Sequence, residues 1–491
     1  MPFFLARLPR PVRLLPGVLT LAAALAACEP TLDTVPAPTA GTANFSRYIA
    51  VGNSLTAGFA DNGLYLEGQL TSYPSQLARQ FALAGGGAFV QPLFPENQPN
   101  GNGYLRLTGF DAAGAPVLTR VTTGLAVRGT SPRGEVLTKF TGDINNLGVP
   151  GLRMAEIDAT SLGNANSTSG PYNPLFERLQ PDGVTNQTYL QRVALARPTF
   201  FTCWLGNNDV LGYATSGGAI SGSPSYEMTA LASFTTRAHK LLDTLTVDGA
   251  QGVVALIPNV TAIPFFTTVG PQVKARLAAL NEPQLVVTTG AFEILGSGAT
   301  RRTIDATDIQ TAAGGRQLFT LTGGAYVPLI GTPSGLYWRT FYADVVPGLG
   351  FPVPWADFER ALNLDTTQRF GLSDRNPWPS TLLLDDVEQA AVQARTAAFN
   401  DVLRAKAVSK NLPVFDAYTF FNEVAARGAV TNGVVNTTAY VSGNLFSLDG
   451  VHPTARGYAL ITNELLRIIN QRYNATLPFV DPAMYRGVRL P

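Results

Sequence analysis

Histidine and cysteine are nearly missing from this chain, which has two of each in 491 residues. With so few imidazoles and thiols, a zinc site would have to be built mainly from carboxylates, so no metal centre or other cofactor is expected. Charge is also scarce. Only 14% of residues are charged, against roughly 25% in an ordinary globular protein. Lys+Arg (35) and Asp+Glu (34) nearly cancel to a net charge of +1. Nucleic-acid binders usually carry a basic excess, and no basic run with interleaved aromatics stands out here, so no nucleic-acid partner is expected. There are no internal repeats. A transmembrane helix is not expected either: the apolar run from Leu14 to Ala27 is interrupted by Pro16, Gly17 and Thr20 and is too short to cross a bilayer.

What is abundant is glycine (48) and proline (35), which implies many turns and long loops. The length exceeds the roughly 250–300 residues at which a single core stops growing. The chain is therefore one large domain with insertions, or two domains.

The N-terminus reads as an address. Arg7, Arg10 and Arg13 precede the short apolar run, in the pattern of a secretory signal over residues 1–27. The run ends Leu25-Ala26-Ala27-Cys28, which resembles the lipobox of bacterial lipoproteins. The resemblance implies lipidation at Cys28 and anchorage in a membrane at the cell envelope. A glutamate, Glu29, follows the cysteine, and by the same resemblance this favours the outer membrane. A plain secretory signal cleaved near Ala27 is the alternative. Residues 28–45, rich in Pro, Thr and Ala, read as a semi-extended tether. If Cys28 is lipidated, Cys203 has no disulfide partner. Cys203 lies in an apolar run and reads as a small buried hydrophobe without a catalytic role.

Beyond the tether, strands and helices alternate. Tyr48 to Val51 is a strand that runs into Gly52-Asn53-Ser54. Tyr73 to Leu83 reads as a helix, with Tyr73, Leu77 and Phe81 recurring every four residues. Residues 85–140 read as an insertion containing hairpin strands at Tyr104 to Thr108 and Pro116 to Val121. A short apolar segment leads through Asn146 to Gly151. Residues 162–190 look polar and loop-rich. Pro198 to Leu205 is a continuous apolar run, as a fully buried parallel strand would be, and it delivers Gly206-Asn207-Asn208-Asp209. A helix over 226–246, a strand over Gly252 to Ile257, a helix over Asp386 to Ala407 and a strand over Leu412 to Phe415 continue the pattern. Residues 263–380 interrupt it with a second insertion, a subdomain or lid over the strand ends. The chain closes with Asp449-Gly450-Val451-His452-Pro453 and a helix from Thr454 to Tyr473. The alternation predicts a parallel sheet with helices on both faces.

Open α/β sheets bind ligands outside the carboxyl ends of their strands. Four predicted loops there carry chemistry. Ser54 is a potential nucleophile, which needs a neighbouring base. Of the two histidines, His239 falls within the 226–246 helix and reads as a boundary residue. His452 follows Asp449 by three positions on a tight loop, so the carboxylate can hold its Nδ1–H and fix the tautomer. Oxyanion donors are available from the backbone N–H of Gly151 and from the side chain of Asn207 or Asn208.

In order along the chain, these blocks resemble the signatures of the SGNH hydrolases, also called the GDSL esterase/lipase family. Gly52-Asn53-Ser54-Leu55 matches Gly-Asp-Ser-Leu; Asn146 to Gly151 matches the second block; Gly206-Asn207-Asn208-Asp209 matches Gly-x-Asn-Asp; Asp449 to Pro453 matches Asp-x-x-His-Pro. The resemblance implies a three-layer α/β/α, flavodoxin-like domain over residues 46–480, interrupted by the two insertions. It makes Ser54 the nucleophile, His452 the base and Asp449 its orienter. The Ser54 and Gly151 amides and the Asn208 side chain form the oxyanion hole. It also implies hydrolysis of a small-molecule, lipid or carbohydrate ester through an acyl-serine. Asn53 departs from the family's aspartate without removing a catalytic group. That departure, the insertions and the tether motivate the alternative, a surface binding lipoprotein whose chemistry has lapsed. Aromatics in the second insertion (Phe265, Phe266, Tyr337, Trp338, Phe341, Trp355) could line an acyl groove, stack on sugars or pack the insertion's own core.

Overall fold

The computed structural model describes residues 37–112, 114–218, 224–289, 300–349 and 352–491. Five strands form one sheet: β1 (Tyr48–Gly52), β2 (Asn146–Gly148), β3 (Phe200–Trp204), β4 (Gln251–Ala255) and β5 (Val414–Phe415). All pairs are parallel, and the order is β2-β1-β3-β4-β5. Chain order thus reverses between β1 and β3, the kind of point at which open sheets form a crevice. Every residue of β1 and of β3 is buried. Both faces of the sheet are covered, so these strands lack polar alternation.

The covering elements are α1 (Ser54–Ala57), α2 (Tyr73–Leu83), α3 (Tyr189–Ala196), α4 (Asn208–Thr215), α5 (Leu231–Leu245), α6 (Asp386–Ser409), α7 (Ala417–Arg427) and α8 (Ala455–Tyr473). Side chains alternate across β1. Ile49 and Val51 join a cluster with Val193 of α3, Leu241 of α5 and Phe399 of α6. Tyr48 and Ala50 join another with Leu77 of α2 and Ile461 of α8. Helices on both faces of an all-parallel sheet are compatible with the expected three layers. Helix α6 starts at a capping box: Asp385 accepts from Val387 and Glu388 N–H, and Glu388 accepts from Asp385 N–H. Acidic residues begin it and Lys406 lies in its last turn, as the helix dipole favours. Helix α8 begins at the Thr454 cap.

The insertions are compact pieces. Residues 85–140 hold two antiparallel hairpins, Leu105–Phe110 with Pro116–Arg120 and Val127–Ser131 with Gly134–Leu137. Residues 263–380 contribute a third apolar cluster around Val273, Leu285, Phe370 and Trp378. Of the aromatics named above, Tyr337, Trp338 and Phe341 are buried in that cluster, with Trp355 packed against it. Phe266 belongs to the main core, and Phe265 is only partly buried there.

Two boundaries are corrected. The tether does not extend to residue 45, nor does the domain stop at 480: the packed unit runs from Pro38 to Pro491. Thr42 N–H reaches the Tyr473 carbonyl at the end of α8 (2.7 Å), satisfying an orphan acceptor of the helix terminus. Phe45 is buried and stacks on Phe81 at 4.1 Å. At the other end, Arg486 pairs with Glu67 at 2.5 Å. Helices α3 and α7 were not anticipated. Helix α3 is only 8 residues long and starts at a capping box of Thr188 and Gln191; α7 has 11 residues and starts at the Asp416 cap. The signal, Cys28 and the tether up to residue 36 lie outside the described residues. Among the described residues no helix is long and apolar enough to cross a membrane.

Gly52 ends β1 because nothing larger fits. A Cβ there would lie 2.1 Å from Thr56 Oγ1 and 2.4 Å from the Trp204 carbonyl oxygen on β3. The second neighbour is sheet backbone and cannot swing aside. Gly52→Ala is therefore expected to destabilise the fold by about 3 kcal/mol, read as a lowered urea midpoint.

Candidate active site

The site is assembled at the carboxyl ends of β1, β2 and β3. After Gly52 the chain turns at once into α1. The Asn53 Oδ1 caps that helix by accepting from Leu55 N–H at 3.2 Å, which fixes Ser54 as its first residue. His452 Nε2 lies 2.8 Å from Ser54 Oγ, across 398 positions of sequence. On its other side His452 Nδ1 lies 2.9 Å from Asp449 Oδ2.

The Asp449 carboxylate is held from several directions. Its Oδ1 accepts from the N–H groups of Val451 and His452, both at 2.8 Å. Its Oδ2 accepts from Asn62 N–H at 2.8 Å. Burial pushes its pKa up, but the charge of His452, its hydrogen bond and the two loop N–H groups outweigh this and hold it at about 2. An ionised carboxylate only accepts. His452 Nδ1 therefore carries a proton, and a neutral imidazole then has its lone pair on Nε2, facing the serine hydroxyl.

The Asn62 contact was not anticipated. Ala60 and Gly63 exchange two backbone hydrogen bonds, of 3.1 and 2.9 Å. Asp61 and Asn62 between them have φ of 53° and 57°. This is a primed hairpin turn, and Asp and Asn tolerate that conformation. Asp61 fastens the turn to the loop that carries Asp449 and His452. Its carboxylate accepts from Leu448 N–H at 3.0 Å and Tyr65 O–H at 2.8 Å. Ser447 Oγ accepts from Asp61 N–H (2.9 Å) and donates to Asp449 Oδ1 (3.1 Å). The Asp61-Asn62-Gly63 triplet is a turn signal in the sequence; its partner, nearly 400 residues away, is not.

Asn208 opens α4 at the end of β3. Its Nδ2 donates to the Leu152 carbonyl at 2.9 Å. Val149 N–H donates to the Gly52 carbonyl at 3.0 Å. The loop carrying Gly151 is thereby tied to the ends of both β1 and β3. Gly151 has φ of +80°, a conformation that favours glycine. Its loop has a further anchor in Asp209, the last residue of the Gly206-Asn207-Asn208-Asp209 block. Asp209 is fully buried and accepts from Met154 N–H (2.7 Å), Ala155 N–H (3.1 Å) and Thr229 O–H (2.7 Å).

Ser54, Asn208 and His452 line one cavity of about 40 Å³, walled by Val260, Ile263, Phe421 and Phe446. Gly151 is exposed and sits beside it through the Leu152 tie. Of the other candidates, His239 is half-buried on α5. Cys203 is buried in β3, and burial pushes its thiol up to about 12, which removes thiolate character.

The depressed Asp449 carboxyl carries a pH signature. Its folded value (about 2) lies below the unfolded one (about 3.9). The stabilisation is thus complete above the unfolded value and lost as pH falls through the folded one. The stability difference between the wild type and Asp449→Asn is expected to shrink by about 2 kcal/mol between pH 5 and pH 2, measured by urea unfolding of both proteins. A difference independent of pH would contradict this.

Comparison with known proteins gave no match among family models, curated proteins or solved structures.

Proposed function

We propose that this chain is a serine esterase or lipase of the SGNH class, hydrolysing carboxylic esters at the cell envelope. The observation that carries the reading is the hydrogen-bonded line Asp449–His452–Ser54, with contacts of 2.9 and 2.8 Å. The chain has only two histidines, and the one with its own aspartate is the one that meets the serine.

The chemistry follows from that line. His452 Nε2 takes the Ser54 proton as Oγ attacks the ester carbonyl. Asp449 stabilises the imidazolium that results. The oxyanion is received by the N–H groups of Ser54 and Gly151 and by the Asn208 amide. Asn208 Nδ2 bears two hydrogens and uses one on Leu152, so one is left for the substrate. The imidazolium then protonates the leaving alcohol, and water repeats the sequence on the acyl-serine. The family departure at Asn53 is accommodated, because its Oδ1 caps α1 as an aspartate oxygen would. The fold supports the same reading through the strand order and the placing of three signature loops at strand ends. In this proposal Cys28 anchors the enzyme by lipid, on the outer membrane.

A serine-reactive fluorophosphonate tests the proposal. We expect one adduct, located on Ser54 by peptide mass spectrometry, together with hydrolysis of nitrophenyl esters. A binding protein with lapsed chemistry would give neither.

A further inference from the structure

A second space borders His452 and Asp449. A cleft of about 1980 Å³ starts at His452 and Asp449 and is walled by both insertions and the C-terminal segment. Phe110, Leu118, Phe265, Leu321, Val327 and Leu490 make its surface largely apolar. Its charged groups are already engaged. Asp111 accepts from Ala115 N–H at 2.8 Å, Arg276 donates twice to the Ile330 carbonyl, and Asp449 holds His452. The cleft and the small cavity share Leu211, Val451 and His452, whereas Ser54 and Asn208 line only the small cavity.

We infer that the substrate is a short-chain acyl ester of a large apolar alcohol, with the acyl group in the small cavity and the alcohol in the cleft. This rests on the esterase reading above. The attacked carbon must lie beside Ser54 Oγ, and its oxyanion beside Asn208, so the acyl group belongs to the small cavity. At about 40 Å³, against about 1980 Å³ for the cleft, that cavity is much the smaller of the two spaces and so suits the shorter side of the ester. The leaving oxygen must reach the proton on His452 Nε2, and His452 lines both the cavity and the cleft. In acylation the Ser54 Oγ–acyl bond forms and the acyl–alkoxy bond breaks. The serine proton passes through His452 to the departing alkoxide, which leaves as the alcohol. Water then cleaves the acyl-serine, giving a short carboxylic acid and restoring the Ser54 hydroxyl.

Two constitutional isomers, octyl acetate and ethyl octanoate, carry equal apolar area on opposite sides of the ester and test the assignment directly. With the purified full chain and acid release as readout, octyl acetate is expected to be favoured by at least about tenfold in kcat/KM. Leu490→Glu changes a residue that is 64% exposed and so spares the fold. It is expected to lower the preference for octyl over ethyl acetate about fivefold. Phe421→Ala is expected to raise the rate on ethyl octanoate relative to octyl acetate. Equal or reversed preference for the isomers overturns the inference. If neither isomer turns over while a fluorophosphonate labels Ser54, the inference falls and the esterase reading stands. If there is neither turnover nor labelling, both fall.

Discussion

Ser54→Ala is expected to lower kcat/KM on nitrophenyl acetate by about 10⁴-fold or more, with the fold intact. The size follows from the role: removing the nucleophile leaves only binding and oxyanion stabilisation. The fold should survive because Ser54 lies at a helix start fixed by the Asn53 cap, and its hydroxyl faces His452 rather than the core. Removing it leaves a Cβ that every first-turn residue except glycine has. The companion variant His452→Ala should lose about as much, and the double variant little more, because groups acting as one unit are not additive. Steady-state kinetics with circular dichroism on the same samples decide the matter. A Ser54→Ala protein that retains a tenth of the wild-type rate refutes the assignment.

Asp449→Asn is expected to lower kcat by about 10⁴-fold, as the loss of an orienting carboxylate does in an established triad. The reason lies in the donors around the carboxylate. Oδ1 faces the N–H groups of Val451 and His452, and Oδ2 faces Asn62 N–H and His452 Nδ1. An asparagine must aim its NH₂ at one of these sides. If it keeps its oxygen on the two loop N–H groups, the amide hydrogens confront Nδ1. The imidazole then avoids the clash by accepting there, which puts its proton on Nε2, facing Ser54 Oγ. That tautomer cannot take the serine proton. The opposite flip sets the NH₂ against two backbone donors and loosens the loop itself. Measurement of kcat at neutral and mildly alkaline pH separates this from a role in binding, which would appear mainly in KM. A loss below about tenfold would mean that His452 is oriented by something else.

Much of this was legible in the sequence, and the reasons differ from element to element. Burial on both faces writes itself into β1 and β3 as unbroken apolar runs. The four-residue spacing of Tyr73, Leu77 and Phe81 gives α2. Local chemistry was also visible: Asp449 and His452 are three positions apart, so their hydrogen bond could be expected from the loop alone. Short, weakly periodic pieces were not visible. Helix α3 is 8 residues long, and its stability comes from Tyr189 and Val193 packing under the sheet. Residues 38–45 look like a polar tether until Phe45 finds Phe81 and Thr42 finds the end of α8. Apolar content that low does not announce a packing partner at the other end of the chain.

The sequence by itself determined the chemical cast: one serine at a glycine turn, one histidine with an aspartate of its own, amide donors at two further strand ends, and an α/β alternation. These are local properties, fixed by residue type and spacing within a few turns of chain. Only the tertiary structure decided that they meet. The order β2-β1-β3-β4-β5 brings the loops after β1, β2 and β3 side by side. Helix α8 packs on the sheet so that the loop before it reaches Ser54. The Asn62 N–H on Asp449, the Asp209 anchor under the Gly151 loop and the two unequal spaces that His452 lines all depend on contacts between residues far apart in sequence. No local pattern encodes such contacts, because they arise from the joint burial of elements whose partners are chosen by the whole chain.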